Sequence, residues 1–218
     1  MTMSNVNYKI VDILIEKFPI IIFSDSHCHI KRISEIKTLY PHSQFICLGD
    51  ITDLFSEKEA FNKHSINYFI ENKIPCLEGN HESFIKACYT GDSFVLSNVL
   101  INTQNTPDYR IDEKIHLEYL HSLPRGFKLI LPSGENYLCF HHEPNNLWNF
   151  NDQNGLTGDS FKKIYPLDDK TLGVLHGHTH KTFLEEYAGV KAKRYSVGAL
   201  KFKQYAILTE QGIHFKSL

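Results

Sequence analysis

Aspartate, asparagine and histidine recur in this chain in short clusters whose spacing suits metal-assisted chemistry. Asp25-Ser26-His27, Gly49-Asp50, Gly79-Asn80-His81, His141-His142 and Gly177-His178-Thr179-His180 offer carboxylate oxygen, amide oxygen and imidazole nitrogen, and no thiolate. Such donors suit Mn, Fe, Zn, Ni or Co rather than a structural zinc site. Pooled, Asp25, His27, Asp50, Asn80, His141, His178 and His180 make seven ligands, too many for one tetrahedral ion but right for two ions sharing a bridging carboxylate. Two ions about 3.5–4 Å apart can clamp both oxygens of an in-line displacement at phosphorus and generate hydroxide at neutral pH. Placed on a loop, His178 and His180 can each reach a different ion.

For these side chains to meet, the chain must bring five loops together. Each cluster directly follows a short apolar run bounded by turn residues, the pattern of a buried strand. The runs are residues 19–24, 44–48, 74–77, 137–140 and 171–175. Between the early runs lie helical patterns. Ile33, Ile36 and Tyr40 repeat at helix spacing, and so do Ile66, Phe69 and Ile70, after a capping-box pattern at Ser56-Glu57-Lys58-Glu59. Residues 112–123, stopped by Pro124, predict a third helix. The second half is richer in strands. Residues 127–131 and 137–140 flank Pro132-Ser133-Gly134-Glu135, a hairpin signal, and residues 183–187, 193–197, 205–208 and 212–215 predict a closing antiparallel set. This order favours two packed sheets with helices outside over one open sheet. In α/β proteins the loops at the carboxyl ends of strands converge on one edge, and every cluster occupies that position.

The 218 residues fit one domain spanning 1–218, with residues 1–18 expected as a helical N-terminal extension. Hydrophobic residues make up 42% and charged residues 22%, an ordinary globular balance. The formal net charge of −2 is spread without a basic stripe, which counts against a dedicated nucleic-acid binder. Five cysteines without zinc-type spacing argue against a disulfide framework, and Cys47, Cys76 and Cys139 sit in apolar runs that predict burial. Neither a signal peptide nor a membrane-spanning stretch is visible, so a cytoplasmic location is expected.

Asp25-x-His27, Gly49-Asp50-x-x-Asp53, Gly79-Asn80-His81-Glu82, His141 and Gly177-His178-Thr179-His180 resemble the five ordered motifs of the calcineurin-like metallophosphoesterases. The resemblance runs from about residue 20 to the C-terminus, where Ser196-Val197-Gly198-Ala199-Leu200 takes the place of a Gly-Ser turn in small bacterial and archaeal members. It implies a four-layer α-β-β-α sandwich of two mixed sheets flanked by helices. It also implies that Asp25, His27 and His180 hold one divalent metal and Asn80, His141 and His178 another, manganese among the candidates, with Asp50 bridging. The implied reaction is hydrolysis of a phosphodiester or phosphomonoester by attack of a metal-bridging hydroxide on phosphorus. His81, oriented by Asp53, would donate toward the leaving oxygen, and the helix after Asn80 would turn its N-terminus to the phosphate.

The chain departs from the family pattern in ways that bear on substrate. Asp53 is followed by Leu54-Phe55 rather than the Arg-Gly of protein phosphatases, which favours a small phosphodiester over a phosphoprotein. Cys28-His29 and His141-His142 stand where Gly-Asn-like and His-Gly pairs are usual, which makes His29 and His142 candidate substrate contacts. Trp148, in the Asn- and Gly-rich stretch 143–160, is a third, with packing onto the core as its alternative. Lys31, Arg32, Arg110 and Arg125 are candidate phosphate-gripping cations. His176 divides between a structural and a substrate role, while His42, His64, His116, His121 and His214 are expected at the surface. Two other functions compete: a metal-dependent nuclease, and a catalytically idle binding scaffold of the same fold.

Overall fold

The structure is a computed structural model that describes residues 9–53, 59–91, 114–142 and 157–218. Two mixed sheets lie face to face. The four-stranded sheet has the order β10-β9-β2-β3, from β2 (Ile20–Phe23), β3 (Gln44–Cys47), β9 (Gln204–Thr209) and β10 (Gly212–Ser217). The six-stranded sheet has the order β1-β4-β5-β6-β8-β7, from β1 (Ile10–Leu14), β4 (Gly126–Ile130), β5 (Asn136–Phe140), β6 (Thr171–His176), β7 (Thr182–Glu185) and β8 (Lys193–Val197). Four helices, α1 (Ile30–Leu39), α2 (Glu59–Asn72), α3 (Asn80–Thr90) and α4 (Lys114–Ser122), cover the smaller sheet, and α5 (Gly158–Ile164) covers the larger.

The layers follow from the period of two along each strand. In β2, Ile21 and Phe23 face the helices, packing with Ile33, Ile36, Ile66, Phe69 and Phe84. Ile20 and Ile22 point the other way, against Phe127, Leu129, Cys139 and Leu175 of the six-stranded sheet. β5 repeats the division: Tyr137 and Cys139 face the inter-sheet core, while Leu138 and Phe140 pack on Phe161 and Tyr165 near α5. Strands buried on both faces read as continuous apolar runs, which is why their sequences stand out. Cys47, Cys76 and Cys139 are buried, as their apolar runs predict.

Several elements differ from expectation. The N-terminal stretch is not helical where it is described. β1 pairs in parallel with β4, from Ile10 opposite Gly126 to Leu14 opposite Ile130. Its β-branched residues are satisfied on alternate sides, Val11 and Ile13 against the inter-sheet core and Ile10 against the α5 side. Residues 74–77 add only one bridge, Cys76 to Cys47, because Pro75 lacks the N–H that a ladder requires. The four late strands do not form one set. β7 and β8 pair antiparallel in the larger sheet, β9 and β10 in the smaller. The chain crosses between sheets through a tight turn holding a 3₁₀ segment, Leu200–Phe202, with Gly198 and Lys203 at φ 77° and 69°. The hairpin of β4 and β5 forms as predicted. The capping-box pattern at 56–59 lies largely outside the described residues.

Candidate metal centre

The five clusters meet at the shared carboxyl edge of the two sheets, stitched together by main-chain hydrogen bonds. Asp25 N–H donates to Gly49 C=O (3.0 Å), His27 N–H to Asp50 C=O (3.1 Å), and Gly177 N–H to His141 C=O (3.1 Å). The loops must pass very close to the carboxylates. A Cβ on Gly177 would lie 1.9 Å from Ser24 Oγ and 2.6 Å from Asp25 Oδ2, and one on Gly79 would lie 2.1 Å from Asp50 Oδ1. Only glycine fits there. Asp25, His27, Cys28, Asp50, His178 and His180 all adopt positive φ, between 41° and 65°. Such backbone in residues other than glycine is held by its surroundings rather than by local preference.

The seven pooled residues come together in two groups. In the first, Asp25 Oδ1 lies 3.0 Å from His180 Nε2 and 3.8 Å from His27 Nε2, and the two ring nitrogens are 3.2 Å apart. In the second, Asn80 Oδ1 lies 3.0 Å from His141 Nε2 and 2.9 Å from His178 Nδ1, and His141 Nε2 is 3.2 Å from Asp50 Oδ2. Asp50 belongs to both sides: its donor atom lies within 4.8 Å of His141 and His178 in one cluster and of His27 and His81 in another. His27 Nδ1 faces the Thr52 carbonyl at 3.1 Å and His141 Nδ1 the Leu48 carbonyl at 2.7 Å. In each ring the Nδ1–H donates outward, so Nε2 is the atom that faces the pool.

The electrostatics match this geometry. Burial pushes the Asp25 and Asp50 carboxyls up, but the surrounding histidines outweigh it and hold both well below the usual carboxylate range. Burial and the neighbouring His81 push His27 down to about 4. Burial and His141 do the same to His178, also to about 4. Burial alone would lower His141, yet the Asp50 carboxylate holds it at about 10. Two buried carboxylates demand compensating positive charge, and His27 and His178 are poised as neutral ligands rather than as its source.

These residues fit divalent ions. Atoms bound about 2.1 Å from one ion at right-angle to tetrahedral spacing stand about 3.0–3.4 Å apart, close to the separations of 2.9–3.2 Å in the two groups, with the Asp25–His27 pair wider at 3.8 Å. Asp25 Oδ1 is fully buried and receives no hydrogen bond, an orphaned acceptor of the kind that a cation satisfies.

His81 opens α3. Its Nδ1 lies 3.1 Å from the Thr52 carbonyl, and its Nε2 lies 3.8 Å from Asp50 Oδ2. Asp53 is tied through its main chain, its N–H donating to Asn62 Oδ1 (2.8 Å) and its carbonyl accepting from Asn62 Nδ2 (3.2 Å). The N-terminus of α3 turns toward a carboxylate of the protein itself, since His81 N–H donates to Asp50 Oδ1 (3.0 Å). Sequence reasoning gave Glu82 no role, yet it is fully buried and accepts from Asp50 N (2.9 Å), Gly79 N (2.9 Å), Thr52 N (3.0 Å) and Thr52 Oγ1 (2.7 Å). It clamps the Asp50 and Asn80 loops together. Its reach back to Gly79 from the third position of α3 is half of a capping box, the one sequence signal that could have exposed it.

The remaining histidines divide. His29 is exposed, its Nδ1 near the Ser26 and His27 carbonyls at 2.9 Å each. His142 is buried edge-on to His141 and His178, with ring centroids 5.5 and 5.8 Å away. His176 is buried beside Phe183, and burial and the Arg194 charge push its pKa well below the usual value, which makes it structural. His42, His64, His121 and His214 are exposed. His116 is not: it is fully buried, with Nε2 2.7 Å from Asn67 Oδ1, and pins α4 to α2. Trp148 lies outside the described residues.

Residues 18–200 match the family model for calcineurin-like phosphoesterases. The chain belongs to that family. No curated protein matches it. Solved structures match this calcineurin-like phosphoesterase in fold along nearly its whole length. A hypothetical protein, PH1004, from Pyrococcus horikoshii OT3 is 13% identical with a TM-score of 0.64, covering 94% of this chain and 88% of that one. A metallophosphoesterase from Sphaerobacter thermophilus is 16% identical with a TM-score of 0.59, covering 92% and 87%. A cold-active protein-tyrosine phosphatase from a psychrophilic Shewanella is 13% identical with a TM-score of 0.59, covering 97% and 83%. The fold is therefore the family sandwich, and its donor clusters suit the divalent metals that the family uses. No helix among the described residues is long and apolar enough to cross a membrane.

Proposed function

We propose that this chain is a dinuclear-metal phosphoesterase that hydrolyses small phosphate esters, diesters in preference to monoesters. One observation carries the reading: a single buried carboxylate, Asp50, lies within 4.8 Å of His141 and His178 in the second group and of His27 in the first. Asp25, His27 and His180 would hold one ion, Asn80, His141 and His178 the other, and Asp50 would touch both. Bound there, the ions supply Lewis acidity and the nucleophile for displacement at phosphorus. The protein supplies the rest. Thr52 fixes His27 and His81 through one carbonyl oxygen, so the two Nε2 atoms face the same space. His81, whose Nε2 lies 3.8 Å from Asp50 Oδ2 and which is not among the seven pooled ligands, would donate a proton to the leaving oxygen. Glu82 holds the two loops at fixed spacing, so little reorganisation is needed on binding. The net charge of −2 supports a small ester over a nucleic acid.

The test uses metal-depleted protein resupplied with Mn, Ni, Co or Zn and chromogenic mono- and diesters. Turnover should return with at least one metal and favour the diester. No turnover with any metal would overturn the assignment.

A further inference from the structure

Among the described residues, none of the cations suggested by sequence is placed at the centre in an obvious gripping role. Arg32 Nη1 donates to the Leu200 carbonyl (2.9 Å), Arg125 pairs with Glu78 (3.6 Å), Lys31 is exposed on α1, and Arg110 lies outside the described residues. The turn between β8 and β9 places a different cation there. Leu200 N–H donates to Ser24 C=O (2.8 Å) and Lys201 N–H to Asp25 C=O (3.2 Å), so this turn is registered directly on the loop that carries Asp25. Gln204 Oε1 accepts from Ala199 N–H (3.2 Å) and closes the turn from the other side. Arg32, anchored on Leu200, therefore acts through the turn rather than on a ligand.

Two side chains project from this fixed turn. Phe202 is 59% exposed and stands at a steep angle to His180, with centroids 5.9 Å apart and planes at 76°. The exposed part of the ring therefore lies beside a ligand of the first metal group. Lys201 Nζ lies 5.3 Å from the Phe202 ring centroid, and its charge is felt at His27. Lys201 has no carboxylate partner among the described residues. A cation and an exposed aromatic ring held together at the rim match a molecule with an anionic phosphate next to a planar ring.

We propose that Lys201 and Phe202 form the substrate-recognition rim of the centre, Lys201 drawing in the phosphate and Phe202 stacking on a nucleobase, so that the preferred substrate is a nucleoside-bearing phosphate ester. This rests on the phosphoesterase reading above and adds the class of the organic group. Both residues bind and select; neither is assigned a step in bond breaking.

The test compares two esters with the same leaving group, thymidine 5′-(p-nitrophenyl) phosphate and methyl p-nitrophenyl phosphate, on the metal-loaded protein. Phe202→Ala should lower kcat/KM for the nucleoside ester about tenfold more than for the methyl ester, equivalent to ~1.4 kcal/mol, and Phe202→Tyr should restore the ratio. Lys201→Gln should raise KM for both esters alike, and Lys201→Arg should restore it. Calorimetric binding of thymidine monophosphate against methyl phosphate gives the same comparison without turnover. An unchanged ratio in Phe202→Ala by both measurements overturns the rim. Wild-type protein that turns over neither ester with any metal overturns the phosphoesterase reading instead, and binding still decides the rim.

Discussion

Asp50 works through both its side chain and its main chain. Its carboxylate faces His141 while its N–H is held by Glu82 and its carbonyl receives His27 N–H. Asp50→Asn should remove the charge that faces both metal groups yet keep the main-chain bonds. The variant is expected to stay folded by circular dichroism, to lose metal by elemental analysis, and to lose turnover. His81→Asn should instead keep its metal and slow turnover by roughly 10²–10⁴, the range for general acid catalysis. Equal metal loss in both variants would make His81 a ligand. Glu82→Gln sets an amide NH₂ among four donors; it should cost ~1–3 kcal/mol in denaturant unfolding, the range for a buried unsatisfied group, and weaken metal retention. The ligands were legible because each sits in a short motif whose chemistry is local. Glu82 left only its capping-box spacing to Gly79 as a mark, and His116 none, because their other partners are main-chain or distant groups.

Strands buried on both faces announce themselves, and β2, β3, β5 and β6 fall where their apolar runs lie. Elements decided by a distant partner do not. β1 carries Asp12 among its apolar residues and is fixed only by the free edge of β4. Whether late strands join one sheet or two depends on the turn at 198–203, whose crossing is a tertiary fact. At the opposite end of the larger sheet, Asp168 ties strands together, accepting from Lys128 Nζ (2.8 Å), Thr171 Oγ1 (2.8 Å) and Asn136 Nδ2 (3.1 Å). The Lys128 ammonium, followed by Thr171, holds its carboxyl well below the usual range. A carboxyl whose folded pKa is depressed stabilises above its unfolded value, about 3.9, and loses that contribution as pH falls toward the folded one. The stability gap between wild type and Asp168→Asn should thus be constant above about pH 5 and close steadily below about pH 4. A gap independent of pH would mean that the carboxylate charge is unimportant there.

The metal groups draw on loops from both sheets: Asp25, His27 and Asp50 follow strands of the smaller sheet, His141, His178 and His180 strands of the larger. Ions held there would tie the two sheets at one edge, and binding to the folded state alone adds about 2.7 kcal/mol at a hundredfold excess over Kd. Chelation should therefore lower Tm by about 5–10 °C for a domain of this size, a shift that Asp50→Asn should abolish. Thermal scans with and without chelator decide it.

Six residues around the pool hold left-handed backbone that their side chains disfavour. A selection for heat resistance alone would drift toward glycine or asparagine at those positions, and at the five that are candidate ligands each gain in robustness would erode the ligand set. Directed evolution of this scaffold should therefore screen for turnover and durability together, because selection for durability alone would discard the chemistry first.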